Sequence, residues 1–354
     1  MSIFLLFHYS ICKGRAKGPG DLSRGVLSTV HEACVRIPHV ESRTKGFAGL
    51  FFEEVGKPVL KAVPLSEHSC FRIGGPADYF FEVASPAELK AALRAGRLAS
   101  IPYYVIGGGS NLLFDDEGFR GLIIKNRIKG IRVWPERDAI EAFSGSGLAD
   151  LVMAAMREGL EGLEFLAGIP GTVGGAVCGN AGAFGRSTGD SLERAILLGP
   201  EGEESEARRE DLGFDYRSSR LKTSREILVR GDFQLGRGDK DKVNRNIRDI
   251  LAKREAKQPH WTTACAGSYF KNPVTSDGVK VAAGRLLDEV GAKSLSVGRA
   301  AVYPGHANFI INLDRATSRD VLKLAGELKE RVKTRFGVDL EEEVIHLPAI
   351  AEGP

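Results

Sequence analysis

The chain has 354 residues, more than one hydrophobic core usually supports, so two or three domains are expected. With 43% hydrophobic and 27% charged residues, the composition is that of a soluble globular protein. The net charge of +3 is small, and basic side chains are dispersed among acidic ones, which argues against a nucleic-acid-binding surface.

The five cysteines are widely spaced and include no C-x-x-C pair, which supports neither a disulfide framework nor a zinc site. A reducing, cytoplasmic environment is therefore expected. The apolar run at residues 3–7 is too short to span a bilayer and lacks the flanks of a signal peptide, so neither membrane insertion nor export is predicted.

Residues 1–55 show no sustained period of 2 or 3.6, which predicts a poorly ordered extension or a mis-assigned start. A strand is predicted at residues 79–83, then a helix with Ser85 as N-cap, Pro86 first and Glu88 completing a capping box. Further strands are predicted at Tyr103–Ile106, residues 121–125 and Ala139–Phe143, and further helices at Leu148–Glu158, residues 239–258 and residues 317–336.

The sequence "VIGGGSNLLF" places three glycines directly after an apolar run, at residues 107–109. Glycine lets backbone N–H groups converge on an anion, so a phosphate-holding loop is one interpretation. A tight strand-to-turn connection is the other, because neither the Rossmann fingerprint nor the Walker loop is present.

A second glycine-rich run, "LAGIPGTVGGAVCGNAGAFG", occupies residues 166–185 and is almost uncharged. A solvated loop would be polar, so this run is predicted to lie against a flat group that its backbone approaches closely. An extended aromatic cofactor meets that description, and close packing of two helices or a buried turn is the alternative.

Three later segments carry polar side chains that could take part in ligand binding or catalysis, and each also has a purely structural interpretation. Tyr216 and Arg217 in "FDYRSSRLK" could bind a carboxylate or phosphate, or form a basic surface turn. Ser268 in "GSYFKNP" is otherwise a turn residue, and the acidic residues 341–343 are otherwise a solvated run. If residues 340–347 are extended, Glu343 shares a face with apolar residues, and partial burial there could raise its pKa. Glu341 shares the same face, so this argument does not choose between the two.

These segments, together with "FRIGGPADYFFEV", "HANFIIN" and "FGVDLEEEV", resemble in order and spacing the UDP-N-acetylenolpyruvoylglucosamine reductase family over residues 63–347. The resemblance implies an α+β fold: two subdomains of the vanillyl-alcohol oxidase type that enclose non-covalent FAD, and a C-terminal substrate-binding domain. The implied ranges are an extension at 1–55, FAD subdomains at 56–131 and 132–239, a substrate domain at 240–348 and a tail at 349–354. About fifty residues separate Arg217 from Ser268, which resembles the branch without an inserted tyrosine loop.

The resemblance also implies the cofactor site. The loop at residues 107–111 would cradle the FAD pyrophosphate, and residues 168–183 would lie along the flavin. The implied cofactor-binding residues are Gly107, Gly108, Gly109, Ser110, Asn111, Leu112, Gly168, Gly171, Val173, Gly174, Gly175, Asn180, Gly182 and Ala183.

For the reaction, the family resemblance implies that NADPH reduces FAD and that UDP-N-acetylglucosamine enolpyruvate then takes hydride at C3. Arg217 and Glu343 would stabilise the resulting enol or enolate, and Ser268 would deliver a proton to C2, with Lys271 and Asn272 as neighbours. Tyr216, Lys271, Asn272, His306 and Asn308 are candidates for substrate binding, although a structural role for the histidine remains open. A monomer is expected.

Three residues depart from the family pattern: Gly179, where a larger apolar residue is usual, Phe184 in place of tyrosine, and Arg299 in place of glycine. The first two could reshape the flavin site, and Arg299 could add a charge near the substrate. The alternatives are an FAD-dependent oxidase of a sugar or alcohol on the same fold and a nucleotide-sugar binder without flavin.

Overall fold

The structure is a computed structural model that describes residues 46–275 and 278–350. Strands and helices are mixed along the chain, and three sheets of four or five strands follow one another. The predicted α+β class is therefore confirmed. Among the residues that the structure describes, no helix is long and apolar enough to cross a membrane.

The first region contains seven elements: α1 (Phe47–Val55), β1 (Leu60–Pro64), β2 (Pro76–Val83), α2 (Pro86–Leu98), β3 (Tyr103–Ile106), β4 (Leu112–Phe114) and β5 (Phe119–Asn126). Its sheet has the order β1-β2-β5-β3, with β1 antiparallel to β2 and the other pairs parallel. Helix α2 begins as predicted, because the Ser85 side chain accepts the N–H of Glu88. The Glu88 carboxylate reaches back to the backbone before the helix and accepts the N–H of Ala84 at 2.7 Å.

The second region contains eleven elements, followed by helix α5: β6 (Ile131–Trp134), β7 (Ala139–Phe143), α3 (Leu148–Glu158), β8 (Leu160–Glu161), α4 (Val173–Cys178), β9 (Gly182–Ala183), β10 (Arg186–Ser187), β11 (Leu192–Leu198), β12 (Glu204–Arg208), β13 (Ile227–Gln234), β14 (Gly236–Arg237) and α5 (Lys240–Glu255). An antiparallel sheet in the order β12-β11-β13-β7-β6 forms its centre. Helix α3 ends as predicted at Gly159, which takes the left-handed conformation.

The third region contains β15 (Cys265–Ser268), α6 (Ala283–Glu289), β16 (Ser296–Val297), β17 (Ala300–Val302), β18 (Phe309–Asn312), α7 (Ser318–Phe336) and β19 (Ile345–Leu347). Four of its strands form a sheet in the order β15-β18-β17-β16. The fifth, β19, leaves this region and pairs in parallel with β4 of the first. The carboxyl end of the chain thereby ties the third region to the first.

Helix α1 corrects the prediction of an unstructured extension over residues 1–55. Phe47 and Phe51 are 8% and 0% exposed and pack in the core beneath α2, so at least this part of the predicted extension belongs to the folded structure. The two phenylalanines stand at i and i+4, too short a pattern to establish a helical period. Residues 1–45 lie outside the described part of the chain.

Two of the predicted boundaries also change. Val243 and Ile247 of α5 lie in the core of the second region, so we propose that the third domain begins after this helix rather than at residue 240. The predicted tail at residue 349 begins within the packed structure, because the Ala349 carbonyl accepts the N–H of Arg120. Of residues 340–347, only Ile345–Leu347 form a strand.

Candidate active site

The glycine loop after β3 packs against two neighbouring segments at very short range. A Cβ on Gly107 would lie 2.3 Å from Thr172 Oγ1, and one on Gly109, whose φ is +67°, would lie 2.0 Å from the His68 carbonyl oxygen. The protein's own packing therefore requires glycine at both positions. Because Thr172 belongs to the second glycine-rich run, the structure brings the two runs together.

Gly108 differs from its two neighbours. Its φ is not among the positive ones, and a Cβ there would lie 3.4 Å from Gly171 Cα, an ordinary van der Waals distance. Packing within the protein thus does not require glycine at this position. Glycine would be required at this position if a pyrophosphate lay close against the backbone.

The second glycine-rich run contains the short helix α4, which begins after Thr172 and was not predicted. Val173 is fully buried, so its side chain belongs to the core rather than to a cofactor surface. A Cβ on Gly174 would meet Ser144 Cβ at 3.1 Å, whereas one on Gly175 would meet nothing closer than 3.6 Å. Some glycines of this run are therefore required by close packing within the protein, whereas others have open space beside them.

The remaining predicted cofactor residues lie around these two runs. Gly168 and Gly171 both have positive φ, and Gly182 and Ala183 form β9. The Ser110 hydroxyl would lie 3.1 Å from a Cβ on Gly171. Leu112 is buried at the start of β4, and the Asn111 side-chain amide donates to the Glu343 carbonyl oxygen at 2.9 Å.

The side chain of Asn180, a predicted cofactor-binding residue, is held by backbone groups of two other segments. Its side chain is 6% exposed, donates to the Asp215 carbonyl oxygen at 2.8 Å and accepts the N–H of Gly189 at 2.9 Å. Its amide group is thus engaged by backbone on both sides. Asn180 connects the second glycine-rich run to the turn that carries Arg217.

Arg254, near the end of α5, lies beside the second glycine-rich run. Its positive charge there was not predicted from the sequence. Its Nη2 donates to the Phe165 carbonyl oxygen, while its buried Nε has no hydrogen-bond partner among the described residues. Burial, with a contribution from Arg217, lowers the pKa of Arg254 to about 10, so the side chain stays charged at neutral pH. An unpaired buried N–H and a cradle that a Cβ would fill both fit a large anionic cofactor such as FAD.

Arg217 and Glu343 meet at the contact between the second and third regions. Arg217 Nε lies 2.6 Å from Glu343 Oε1, and the two side chains are 23% and 19% exposed. Arg217 Nε makes no aligned hydrogen bond, so the contact is primarily an ion pair. The structure thus brings two predicted catalytic residues together from positions far apart in the sequence.

The structure also distinguishes Glu343 from Glu341. The Glu341 side chain is 73% exposed and pairs with Lys271, whereas Glu343 points into the site. Burial raises the pKa of Glu343, and the charges of Arg217, Lys222 and Lys271 oppose that rise. Partial desolvation, inferred from the sequence for either residue, therefore applies to Glu343.

Ser268 ends β15 next to the strand-like segment that carries Glu343. The N–H of Glu343 donates to the Tyr269 carbonyl oxygen at 2.7 Å, which places the two segments side by side. The Ser268 side chain is half-buried at the end of β15. The predicted neighbours bind elsewhere: Lys271 pairs with Glu341, and the Asn272 side chain accepts the N–H of Ala283.

Tyr216 contacts the third region through its ring and its hydroxyl. The hydroxyl accepts the N–H of Asn272 at 3.1 Å, and Lys280 Nζ lies 3.0 Å from the ring centroid. The guanidinium of Arg217 lies 5.3 Å from the same centroid. Tyr216 and Asn272 therefore lie at one junction with the Arg217–Glu343 pair.

Among the described residues, His306 and Asn308 form no hydrogen bond or ion pair with the side chains of this junction. Asn308 is 4% exposed, and its amide bonds the N–H and the carbonyl of Phe270, which is a structural role. His306 Nδ1 accepts the N–H of Asn308, and burial with the nearby charges of Lys293 and Lys257 lowers its pKa. The structural alternative left open for His306 is thus supported by its contact with Asn308.

The three departures from the family pattern have different settings. The Arg299 guanidinium donates to the carbonyl oxygens of Leu313 and Asp314, so it stabilises a turn rather than adding an unpaired charge beside the substrate. Phe184 is 55% exposed and faces the guanidinium of Arg254 at 5.4 Å. A Cβ on Gly179 would lie 3.3 Å from the Gly175 carbonyl oxygen.

Comparison with known proteins identifies the class to which this fold and site belong. Residues 77–207, which include the cradle and α4, match the FAD binding domain model. The chain is thus an FAD-binding flavoprotein, as the sequence predicted. Residues 258–347 match the model described as UDP-N-acetylenolpyruvoylglucosamine reductase, C-terminal domain.

Individual relatives establish the family. The chain is 40% identical over 293 residues to a UDP-N-acetylenolpyruvoylglucosamine reductase of Carboxydothermus hydrogenoformans, covering 82% of this chain and 95% of the relative. It is 38% identical to that of Chlamydia abortus, with the same coverage of 82% and 95%. The crystal structure of UDP-N-acetylenolpyruvylglucosamine reductase from Thermus caldophilus superposes with a TM-score of 0.68 at 35% identity, covering 82% of this chain and 99% of that one.

The chain therefore belongs to the UDP-N-acetylenolpyruvoylglucosamine reductase family. The family and the flavoenzyme class predicted from the sequence motifs are confirmed, and the reductase is favoured over the oxidase on the same fold.

Proposed function

We propose that this protein uses NADPH to reduce UDP-N-acetylglucosamine enolpyruvate to UDP-N-acetylmuramate, a step in the synthesis of peptidoglycan precursors. The observation that carries the proposal is the Arg217–Glu343 pair, at 2.6 Å, beside the end of β15 that bears Ser268. A cation, a buried carboxyl group and a hydroxyl are the groups needed to hold an enolpyruvyl carboxylate and protonate the adjacent carbon.

Gly107, Gly108 and the backbone at residues 168–183 would hold FAD, with Arg254 as a nearby cation. When bound, FAD would supply the redox chemistry for hydride transfer between NADPH and C3 of the vinyl ether. The protein must then stabilise the electron density that moves toward the substrate carboxylate and supply one proton to C2.

Arg217 is suited to the first task, because its guanidinium can bind a carboxylate through two N–H groups. Arrival of the substrate carboxylate would give Arg217 a new partner and place a second negative charge near Glu343. Both changes favour the protonated form of Glu343, which burial already favours, so that Glu343 can donate a hydrogen bond to the enol oxygen.

Ser268 would supply the proton to C2. Its side chain is half-buried at the end of β15, so it remains accessible to a substrate or to a water chain. Tyr216, Lys271 and Asn272 would contribute to substrate binding from the same junction. The assignment to the branch without the tyrosine loop belongs to this proposal and rests on the short interval between Arg217 and Ser268.

The proposal also includes a cytoplasmic, monomeric protein without nucleic-acid or membrane partners. The dispersed charge and the absence of a C-x-x-C pair in the sequence support this part of it. Size-exclusion chromatography with light scattering tests the monomer, and a mass twice that of the chain would contradict it.

The direct test is anaerobic titration of the purified protein. NADPH should bleach the flavin absorbance, UDP-N-acetylglucosamine enolpyruvate should restore it, and mass spectrometry should find a product heavier by two hydrogens. Acid precipitation should release the flavin into the supernatant. Flavin that stays in the pellet, or that the enolpyruvyl compound does not reoxidise, would contradict the proposal.

A further inference from the structure

Arg217 stands in a backbone conformation that its residue type rarely adopts. It is the second central residue of a tight turn, closed by reciprocal hydrogen bonds between Asp215 and Ser218, and its φ is +56°. A left-handed conformation is unfavourable for a residue with a Cβ and persists only where surrounding contacts hold it. The position of the guanidinium therefore depends on the contacts that hold this turn.

Most contacts on the turn reach its flanks. Asn180 donates to the Asp215 carbonyl oxygen at 2.8 Å, and the Ser219 hydroxyl donates to the Cys178 carbonyl oxygen at 2.7 Å. Both anchor the turn to the carboxyl end of α4. Neither contact reaches the peptide unit of Arg217 itself.

The side chain of Lys222 makes that missing contact. Its Nζ donates to the Arg217 carbonyl oxygen at 2.7 Å, a short, charge-assisted hydrogen bond across five residues. Lys222 lies at the end of the helical turn Arg220–Lys222, whose Leu221 is 6% exposed and packs in the core of the second region. The lysine thus extends from a fixed base to the strained residue.

The charge of Lys222 also acts on Glu343. Lys222 is among the cations that oppose the burial-driven rise in the pKa of Glu343, together with Arg217 and Lys271. Partial burial and the charge of Lys271 lower the pKa of Lys222, while Glu343 and Glu341 raise it. One ammonium group therefore contacts the backbone of Arg217 and influences the protonation of its carboxylate partner.

We propose that Lys222 is a positioning residue: by binding the Arg217 carbonyl oxygen it holds the guanidinium in line with Glu343 and with the substrate carboxylate. The inference rests on the proposed roles of Arg217 and Glu343. It adds a residue that acts through Arg217 and Glu343, and whose loss should impair only the reaction with the enolpyruvyl substrate.

The variants K222M and K222R separate the hydrogen bond and charge from general packing. In stopped-flow absorbance, K222M should bind FAD and be bleached by NADPH as the wild type is, while reoxidation by the enolpyruvyl substrate slows about 10- to 100-fold, the range for loss of a charge-assisted hydrogen bond. K222R keeps a charged donor and should recover most of the rate. K242M, which removes an exposed lysine of α5, is the matched control and should match the wild type.

The pH profile supplies a second readout that a merely structural role would not move. Glu343 acts in its protonated form, so reoxidation slows as pH rises through its pKa. Removing the Lys222 charge raises that pKa, so the alkaline limb of K222M should move to higher pH while that of K222R stays in place.

Three outcomes would overturn the inference. If R217A slows reoxidation but K222M does not, Lys222 does not position Arg217. If K222M and the less disruptive K222Q both lose FAD or slow the NADPH step equally, Lys222 maintains the fold instead. If the wild type itself is not reoxidised by the enolpyruvyl substrate, the proposed function fails together with this inference.

Discussion

Glu343 is subject to two opposing influences that together define its chemistry. Burial favours the neutral acid, while Arg217, Lys222 and Lys271 favour the carboxylate. The first influence dominates, so the pKa of Glu343 lies above the usual value of about 4.3 for glutamate. A carboxyl group poised in this way can change its protonation when a substrate carboxylate arrives.

The pH dependence of reoxidation tests this role. If protonated Glu343 donates a hydrogen bond, the wild-type rate is highest below its pKa and falls as pH rises through it. E343Q keeps an N–H donor but cannot titrate, so its rate should be flat across that limb and within about tenfold of the wild-type maximum, the equivalent of one hydrogen bond. The exposed neighbour supplies the control: E341Q should keep the limb, and a limb retained in E343Q would assign it to another group.

Gly108 tests the cradle without disturbing the fold. A methyl group there meets no protein atom closer than 3.4 Å, so G108A should fold normally while its Cβ occupies space needed by the FAD pyrophosphate. We expect FAD affinity to fall at least about tenfold, measured by flavin fluorescence on titration of the apoprotein. G326A, at an open position in α7, is the control, and unchanged affinity in G108A would place the phosphate loop elsewhere.

At the residue scale, the sequence indicated which side chains could belong to the site better than it indicated the residues that they contact. Arg217 and Glu343 could be predicted as site residues from their motifs. Lys222 and Arg254 could not, because these two are linked to the site only by contacts that form on folding. Asn180 was predicted to bind the cofactor, and in the structure both polar atoms of its side chain form hydrogen bonds with backbone groups. A single sequence does not reveal which hydrogen bonds a buried amide has already formed.

At the element scale, the boundaries were predictable wherever local chemistry marks them. Helix α7 begins after Thr317, whose side chain forms a capping box with Asp320, and ends at Gly337 with φ +68°. Helix α4 is marked only by the N-cap residue Thr172, and the residues that follow are mostly glycine, alanine and valine, which do not indicate a helix. It is helical because Thr172 accepts an N–H at its start and Val173 and Val177 pack into the core.

Helix α1 allows a direct comparison of two adjacent phenylalanines. Phe51 is 0% exposed and contacts Phe81 edge to face at 5.0 Å between ring centroids, whereas Phe52 is 55% exposed. F51A should therefore lower the free energy of unfolding of the first region by about 3–5 kcal/mol, while F52A should change it by less than about 0.5 kcal/mol. Chemical denaturation followed by far-UV circular dichroism measures both, and equal effects would mean that α1 is not docked as described.

At the scale of the whole molecule, the third region is attached to the first by backbone contacts and to the second by site residues. Besides the β4–β19 pair, Asp116 accepts the N–H groups of Ser318 and Arg319 at the start of α7. The contact with the second region is formed by Tyr216 with Asn272 and by Arg217 with Glu343. The pairing of these two three-residue strands from distant parts of the chain could not be predicted, because so short a strand has no distinctive period.

The Asp116 contact predicts how firmly the third region is attached. D116A removes the acceptor for two N–H groups at a helix start, which should lower stability by about 0.5–2 kcal/mol. E117A, on the exposed adjacent residue, is the control. Differential scanning calorimetry should show a lower melting temperature for D116A alone, and identical temperatures for both variants would mean that this cap does not hold the regions together.

We propose that one site carries out two separable half-reactions and that Ser268 serves only the second. The decisive measurement is stopped-flow flavin absorbance of S268A, with NADPH and then with UDP-N-acetylglucosamine enolpyruvate, alongside S296A as a control on an exposed serine. Bleaching by NADPH should proceed at close to the wild-type rate, and reoxidation should slow by about 10²- to 10⁴-fold, the usual contribution of a general acid. Equal slowing of both steps, or an unchanged reoxidation rate, would contradict the claim.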